Sequence, residues 1–372
     1  MTTAPAPRRA LEEALGEKRV LVVCGAGGVG KTTTAAALAL RAAAAGRRVL
    51  VCTIDPSRRL ATSLGLSQLA GEPKPLDLRR LGLGRSAALS AMVLDTKRTF
   101  DALVERFAGS REARDRILGN RFYQQVSDAL AGSHEYMAME KLLELTADDR
   151  FDLVVLDTPP TRHALDFLEA PDRLVSFLDA SVLRYFLRPY FVAGRLTLRV
   201  ATRTGAAALR LADRYLGLQF LQDLSEFFLA FESMYDGFKE RAEKVRSLLR
   251  DASSGFVLVS GPTRTTLDEA LYFHERLQEK RMPFVAFVVN RLHCRSAARP
   301  RKRAAADAAD LDPELASRLV DVFRDQQRVA RAEERELSRI QVDTGQPVVT
   351  VPEFDADIHD LRGLRDLGEG FL

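Results

Sequence analysis

The sequence predicts a doubly wound, mostly parallel α/β sheet that carries an all-helical insertion. Three observations predict it. Short apolar runs rich in β-branched residues recur along the chain, helical patterns lie between most of them, and one long stretch shows helical periodicity with no strand. With 372 residues, the chain has room for two domains or for one α/β domain with a large insertion. A hydrophobic share of 46% and a charged share of 28% are those of a globular chain with a full core. Three cysteines exclude a disulfide scaffold. No uncharged apolar run reaches the roughly 18 residues that span a bilayer. The first residues do not read as a signal peptide, so the expected compartment is a reducing cytoplasm.

Taken in order, residues 1–18 read as a loose N-terminal arm, Pro-containing and then charged. Arg19–Cys24 is a strand buried on both faces, as parallel strands are. Gly25–Gly30 interrupts it, Lys31–Ala45 is an alanine-rich helix, and Gly46 stops that helix. Arg48–Ile54 is a second strand, which completes a βαβ unit. Further buried strands are expected at Ala88–Leu94, Phe151–Leu156, Gly255–Ser260, Phe284–Val289 and Pro347–Val351. Residues 19–170 and 251–372 then form the α/β core, and 171–250 the helical insertion. In that insertion Phe220, Leu224, Phe227, Phe228, Phe231, Tyr235 and Phe238 recur at helical spacing, the pattern of a face packed against the sheet domain. The basic run Arg299–Arg303 and the Ala/Asp-biased Ala304–Asp312 read as an exposed loop.

Chemistry is carried by Gly25-Ala26-Gly27-Gly28-Val29-Gly30-Lys31-Thr32, which matches G-x-x-x-x-G-K-[ST] between a strand and a helix. Glycines let successive N–H groups turn inward around an anion. The helix adds its positive end. Lys31 is a mobile cation for the outer phosphates, and Thr32 offers a hydroxyl to Mg²⁺. Asp157 ends an apolar strand, where a carboxylate acts on Mg²⁺ or its waters. Asp55 ends the strand beside the loop and is placed to orient an attacking water. Either Asp also suits a helix cap or a turn. Guanine-reading proteins carry Asn-Lys-x-Asp after a late strand. Here Val288-Val289-Asn290 is followed by Arg291-Leu292-His293, without the Asp, which favours adenine. Asn290 has the amide donor and acceptor to pair with an adenine edge.

These motifs resemble those of the ArsA-type ATPases, the family of the arsenite-pump ATPase and of the ATPase that delivers tail-anchored membrane proteins. The resemblance rests on Cys24–Thr33 for the phosphate loop, Thr53–Ser57 for a first switch, Leu89–Thr96 for the following strand and Asp157–His163 for a second switch. Val288–Asn290 and Val351–Phe354, including Pro352, match the adenine-side segments. The resemblance implies a Mg²⁺-dependent ATP hydrolase acting as a dimer. It implies Asp55 for the lytic water, the Gly25–Thr33 loop with Asn290 and Pro352 around the nucleotide, Thr32 on the metal, and Asp157 on its waters. A single phosphate loop means that two chains are needed, identical or paralogous.

Three departures stand out. The family's loop lysine is replaced by Ala26, Arg162 replaces a glycine of the second switch, and no Cys-x-x-Cys is present to hold a bridging zinc. Cys24 and Cys52 read as small buried residues and Cys294 stands alone, which argues against zinc or arsenic sites. The insertion is expected to bind a hydrophobic client or a membrane surface. Residues 173–214 mix eight Arg with Leu183, Tyr185, Phe186, Leu187, Tyr190 and Phe191 against two acidic residues. A solvated basic face over a buried one explains the same pattern. The alternative is a MinD/ParA-like partitioning ATPase acting on membrane or DNA, and the long insertion argues against it. A net charge of +4 from 55 basic and 51 acidic residues gives no case for a nucleic-acid partner.

Overall fold

The structure is a computed structural model that describes residues 7–55, 59–83, 87–126, 133–159, 169, 234–293 and 312–371. Its sheet has eight strands: β1 Val20–Gly25, β2 Arg48–Thr53, β3 Lys74–Pro75, β4 Ala88–Val93, β5 Leu153–Asp157, β6 Ser254–Ser260, β7 Phe284–Leu292 and β8 Val348–Pro352. They lie in the order β3-β4-β2-β5-β1-β6-β7-β8. Every pair is parallel except β3 with β4, so the expected mostly parallel sheet is observed. The short edge strand β3 has no signal in the sequence, since two residues cannot display a period.

Helices cover both faces. On one side Leu21 and Val23 of β1, Val49 and Val51 of β2, and Leu153 and Val155 of β5 alternate toward a shared core. They meet α1 (Pro7–Glu17), α2 (Lys31–Ala44) and a C-terminal helix, Leu361–Glu369. Six buried alanines of α2, Ala35, Ala36, Ala37, Ala39, Ala42 and Ala43, let its backbone approach the sheet closely. On the other face a helix at Arg264–Glu279 packs on β6 and β7, where His274 meets Phe284 and Phe287 with ring centroids 4.6 Å and 5.3 Å apart. Strands buried on both faces explain the unbroken apolar runs in the sequence.

The N-terminal arm is a correction. Residues 7–17 are helical, and Leu11, Ala14 and Leu15 are buried in the core. Their i, i+3, i+4 spacing is an amphipathic signal that the flanking charges obscure.

The chain divides into two compact units. One holds the sheet: Met1–Val93, Asp148–Leu165 and Leu249–Leu372. The other joins Leu94–Ala147 to Asp166–Leu248, so it draws in a segment that strand alternation alone assigns to the α/β core. Its described helices are α4 Thr96–Phe107, α5 Arg111–Gly119, α6 Arg121–Val126, α7 Ser133–Thr146 and most of α8 Tyr235–Arg250. α4 packs on α5 and α7, which groups these helices with each other. Within this unit Phe238 is buried against Phe100 and Tyr136, at 6.2 Å and 5.9 Å between centroids, and Arg241 pairs with the buried Glu140. The stripe is expected to pack against the sheet domain; Phe238 is buried, but its ring partners are on α4 and α7 of this helical unit. Phe220, Leu224, Phe227, Phe228 and Phe231 lie outside the described residues, as do the rest of 170–233, Arg162, Cys294 and 299–311.

The remaining helices of the sheet unit are α3 Arg59–Ser63, α9 Arg264–Glu279, α10 Pro313–Thr344 and α11 Leu361–Glu369. No described helix is long and apolar enough to cross a membrane.

Candidate active site

The carboxyl ends of β1, β2 and β5 lie side by side. Val23 and Thr53 are both in register with Asp157. From β1 the chain enters the Gly25–Gly30 loop and then α2, so backbone N–H groups and the N-terminus of α2 face one region.

Two glycines are required there by contact as well as by conformation. Gly25 has φ +154°, and a Cβ on it would sit 2.0 Å from the Val259 carbonyl oxygen of β6. Gly30 has φ +93°, and a Cβ would sit 2.3 Å from Asn290 Nδ2. Asn290 in turn donates to the Val29 carbonyl at 3.0 Å. The last strand positions of β7 therefore brace the loop, and Gly30 is small because the Asn290 amide lies against it.

Lys31 is buried, and its ammonium donates to the Ala26 carbonyl at 2.8 Å. Burial lowers its pKa, and the Asp157 carboxylate opposes that shift. Thr32 Oγ1 donates to Asp157 Oδ2 at 2.7 Å, and Thr53 Oγ1 donates to the same oxygen at 2.9 Å. Asp157 Oδ1 is buried without a partner. Burial pushes the Asp157 carboxyl up to about 6, against the lowering effects of the two hydroxyls and Lys31. Asp55 is half-buried just past β2; its N–H donates to Thr53 Oγ1 at 3.2 Å, and its charge acts on both Lys31 and Asp157.

Of the expected site residues, Gly28, Gly30, Lys31, Thr32, Thr33, Asn290 and Pro352 line one cavity of about 980 Å³. Gly25, Ala26, Gly27 and Val29 shape the loop without lining that cavity, and Asp55 and Asp157 stand at the strand ends beyond it. Three further residues with no role assigned from the sequence hold or surround the site. Thr53 holds Asp157. Arg59, at the start of α3, lines the cavity and acts electrostatically on Lys31. His293 lies between Glu333 of α10 at 2.9 Å and Glu353 at 3.1 Å, tying the segment after β8 to α10. Thr53 opens the segment read as a first switch, but its hold on Asp157, like the placement of Arg59 and His293, depends on elements distant in sequence.

The buried cysteines are as expected. Cys24 and Cys52 are buried, and burial pushes the Cys24 thiol up to about 12.

A parallel sheet whose first strand runs into this loop, with a lysine, a hydroxyl and a strand-end carboxylate assembled behind it, defines a P-loop nucleotide hydrolase. A family model described as anion-transporting ATPase matches residues 18–330. The chain belongs to that family, the ArsA ATPases, and is an ATP hydrolase. It is 26% identical over 372 residues to the ATPase GET3C of Arabidopsis thaliana, covering 95% of this chain and 82% of that protein. To the ATPase get3 of Aspergillus terreus it is 27% identical over 278 residues, covering 74% and 73%. To the ATPase ARSA1 of Chlamydomonas reinhardtii it is 26% identical over 307 residues, covering 74% of this chain and 35% of that protein.

Proposed function

We propose that the chain is a Mg²⁺-dependent switch. ATP binding and hydrolysis close and open a dimer, and the dimer's state controls an apolar or membrane-associated partner at residues 171–250. The observation that carries this reading is the Thr32–Asp157–Thr53 link. One carboxylate oxygen holds a hydroxyl of the phosphate loop and a hydroxyl at the end of β2. A ligand that draws the Thr32 hydroxyl away changes what holds Asp157 and Thr53. The chain leaving β2 begins with Asp55, so occupancy of the loop is felt where the lytic water would be oriented.

The residues present fit the metal. Thr32 offers a hydroxyl and Asp157 an unpartnered buried oxygen, which is an arrangement for a cation and its waters. Mg²⁺ would neutralise phosphate charge there. Lys31 would meet the outer phosphates, Asp55 would orient water, and Asn290 and Pro352 would bound the base. The relatives named as ATPases, GET3C and get3, support the ATPase part of this reading.

The test is sedimentation velocity of the purified chain without nucleotide, with ADP, and with a non-hydrolysable ATP analogue plus Mg²⁺. A fluorescent apolar helix peptide is titrated into the same three samples. A compact dimer and a peptide affinity that both change with the nucleotide are expected. Identical behaviour in all three states contradicts the switch.

A further inference from the structure

The strand β7 changes course just past Asn290. Arg291 takes φ +60°, in the left-handed region that a non-glycine residue enters under constraint from its surroundings. The register between β7 and β8 shifts there, and pairing resumes with Leu292 opposite Pro352. The Glu353 N–H donates to the Leu292 carbonyl at 3.0 Å. His293 and Glu353 are thereby brought side by side at the end of the sheet. Arg291, Pro352, Glu353 and Phe354 line the same cavity as the phosphate loop.

His293 has a carboxylate at each ring nitrogen. Its Nδ1 lies 2.9 Å from Glu333 Oε1 of α10, and its Nε2 lies 3.1 Å from Glu353 Oε2. Its backbone N–H donates to the other Glu333 oxygen at 2.8 Å. Glu333 is 7% exposed, so a buried carboxylate has both of its oxygens on His293. Among the described residues these two carboxylates are the ion-pair partners of His293, and the charged residue of β7 itself is Arg291. A carboxylate only accepts hydrogen bonds, so both ring nitrogens carry protons when both contacts are made, and the ring is an imidazolium. The neutral ring has one N–H. The paired contacts to buried Glu333 keep that proton on Nδ1, and a bare Nε2 then faces Glu353, lone pair against lone pair. Loss of the second proton thus breaks the contact to Glu353 and spares the one to Glu333.

We propose that His293 is a positioning residue for the nucleotide. As an imidazolium bridging Glu333 and Glu353 it clasps the segment after β8 to α10, and the neutral ring releases that segment. The proposal rests on the reading that Asn290 and Pro352 bound the base, and it adds what holds that wall in place.

Glu353 follows Pro352 directly, so fixing its side chain fixes the wall that Pro352 presents to the cavity. A wall ordered before the base arrives costs less to order on binding. The base is therefore held better while the ring is charged. The effect is modest, because the Glu353 side chain is 50% exposed and solvent weakens its pair with His293.

The test titrates ADP and inorganic pyrophosphate, each with Mg²⁺, into the full chain by calorimetry. Both engage the phosphate loop and only ADP carries a base, so the ratio of their affinities reports the base side. Histidine side chains change charge between about pH 5 and 8, so the titrations are made at about pH 6 and about pH 8. The Asp157 carboxyl, pushed up to about 6, titrates in the same window, as do the phosphates. Wild type, His293→Gln and Glu353→Gln share those titrations, so the comparison among them isolates His293. From about pH 6 to about pH 8 the wild-type ratio should fall about three- to fivefold more than that of His293→Gln, whose amide does not titrate. Glu353→Gln should keep the high ratio at about pH 8, because its amide donates to the bare Nε2 of the neutral ring. A contact with a merely structural role would not be rescued in that way. A ratio that falls equally in all three proteins overturns the clasp and leaves the base reading standing. So does a fall in Glu353→Gln as large as in wild type. If ADP binds no better than pyrophosphate in any of the three, the base reading fails and the clasp fails with it.

Discussion

Asp157 is the residue on which the site's electrostatics turn. One of its oxygens accepts two hydroxyls and the other has no partner, at the buried end of β5. Its carboxyl titrates near 6 in the folded protein against 3.8 as the ordinary value. The folded state therefore holds an extra proton between those values, and stability falls as pH rises from 3.8 through about 6. Asp157→Asn removes that loss. The nucleotide-free variant should melt above wild type at pH 7.5, by on the order of 2–3 kcal/mol, with little gain at pH 4. Thermal melts at the two pH values check this, and a gain that is equal at both would argue against a strained carboxylate. The same variant should lose Mg²⁺-dependent turnover. Asp55 acts differently. Asp55→Asn keeps the shape but weakens the hold on a water, so nucleotide binding should persist while turnover drops roughly a hundredfold. Loss of binding with unchanged turnover per bound nucleotide would contradict that role.

At the scale of elements, the phosphate loop and the strands that frame it are legible because their signals are local. A fixed motif sits between a β-branched run and an alanine-rich helix, and the structure places Gly25–Thr32 between β1 and α2. What is hidden depends on distant partners. That Asn290 braces Val29 and Gly30, or that Thr53 shares Asp157 with Thr32, follows only from strand order. The helix α1 is hidden for another reason. Its three buried positions are surrounded by Arg and Glu, which form exposed pairs such as Arg9–Glu13 at 2.8 Å and mask the apolar face. Leu15 is 4% exposed in the core, where α1 packs on β7 and α2. Leu15→Ala should cost about 2–4 kcal/mol in urea denaturation. A change below about 0.5 kcal/mol would mean that α1 is not part of the core.

For the whole molecule, family membership and the parallel sheet are both readable from the sequence, because four motif segments are spread along it. The division into units is not. Leu94–Ala147 lies between strands in sequence, yet its helices pack with one another and group with Asp166–Leu248. Ala26 bears on the assembly. Its side chain is a methyl in the core and its carbonyl holds Lys31, so nothing at this position neutralises a second nucleotide across a dimer. The isolated chain should be a slow ATPase, with Ala26→Lys faster by roughly tenfold, the worth of one charge-assisted hydrogen bond. Turnover measured against protein concentration for both proteins checks this. A wild type already fast and strongly dimerised by ATP, with no gain in Ala26→Lys, would sink it.

The account stands most directly on Lys31, a buried ammonium at the start of α2 and the one cation within the phosphate loop itself. The deciding measurement is steady-state ATP hydrolysis by wild type and by Lys31→Ala, with circular dichroism showing that both are folded. Removing a cation aimed at the transferred phosphoryl group should lower turnover by at least roughly a hundredfold while the spectrum stays unchanged. A folded Lys31→Ala protein that hydrolyses ATP as fast as wild type would contradict the site.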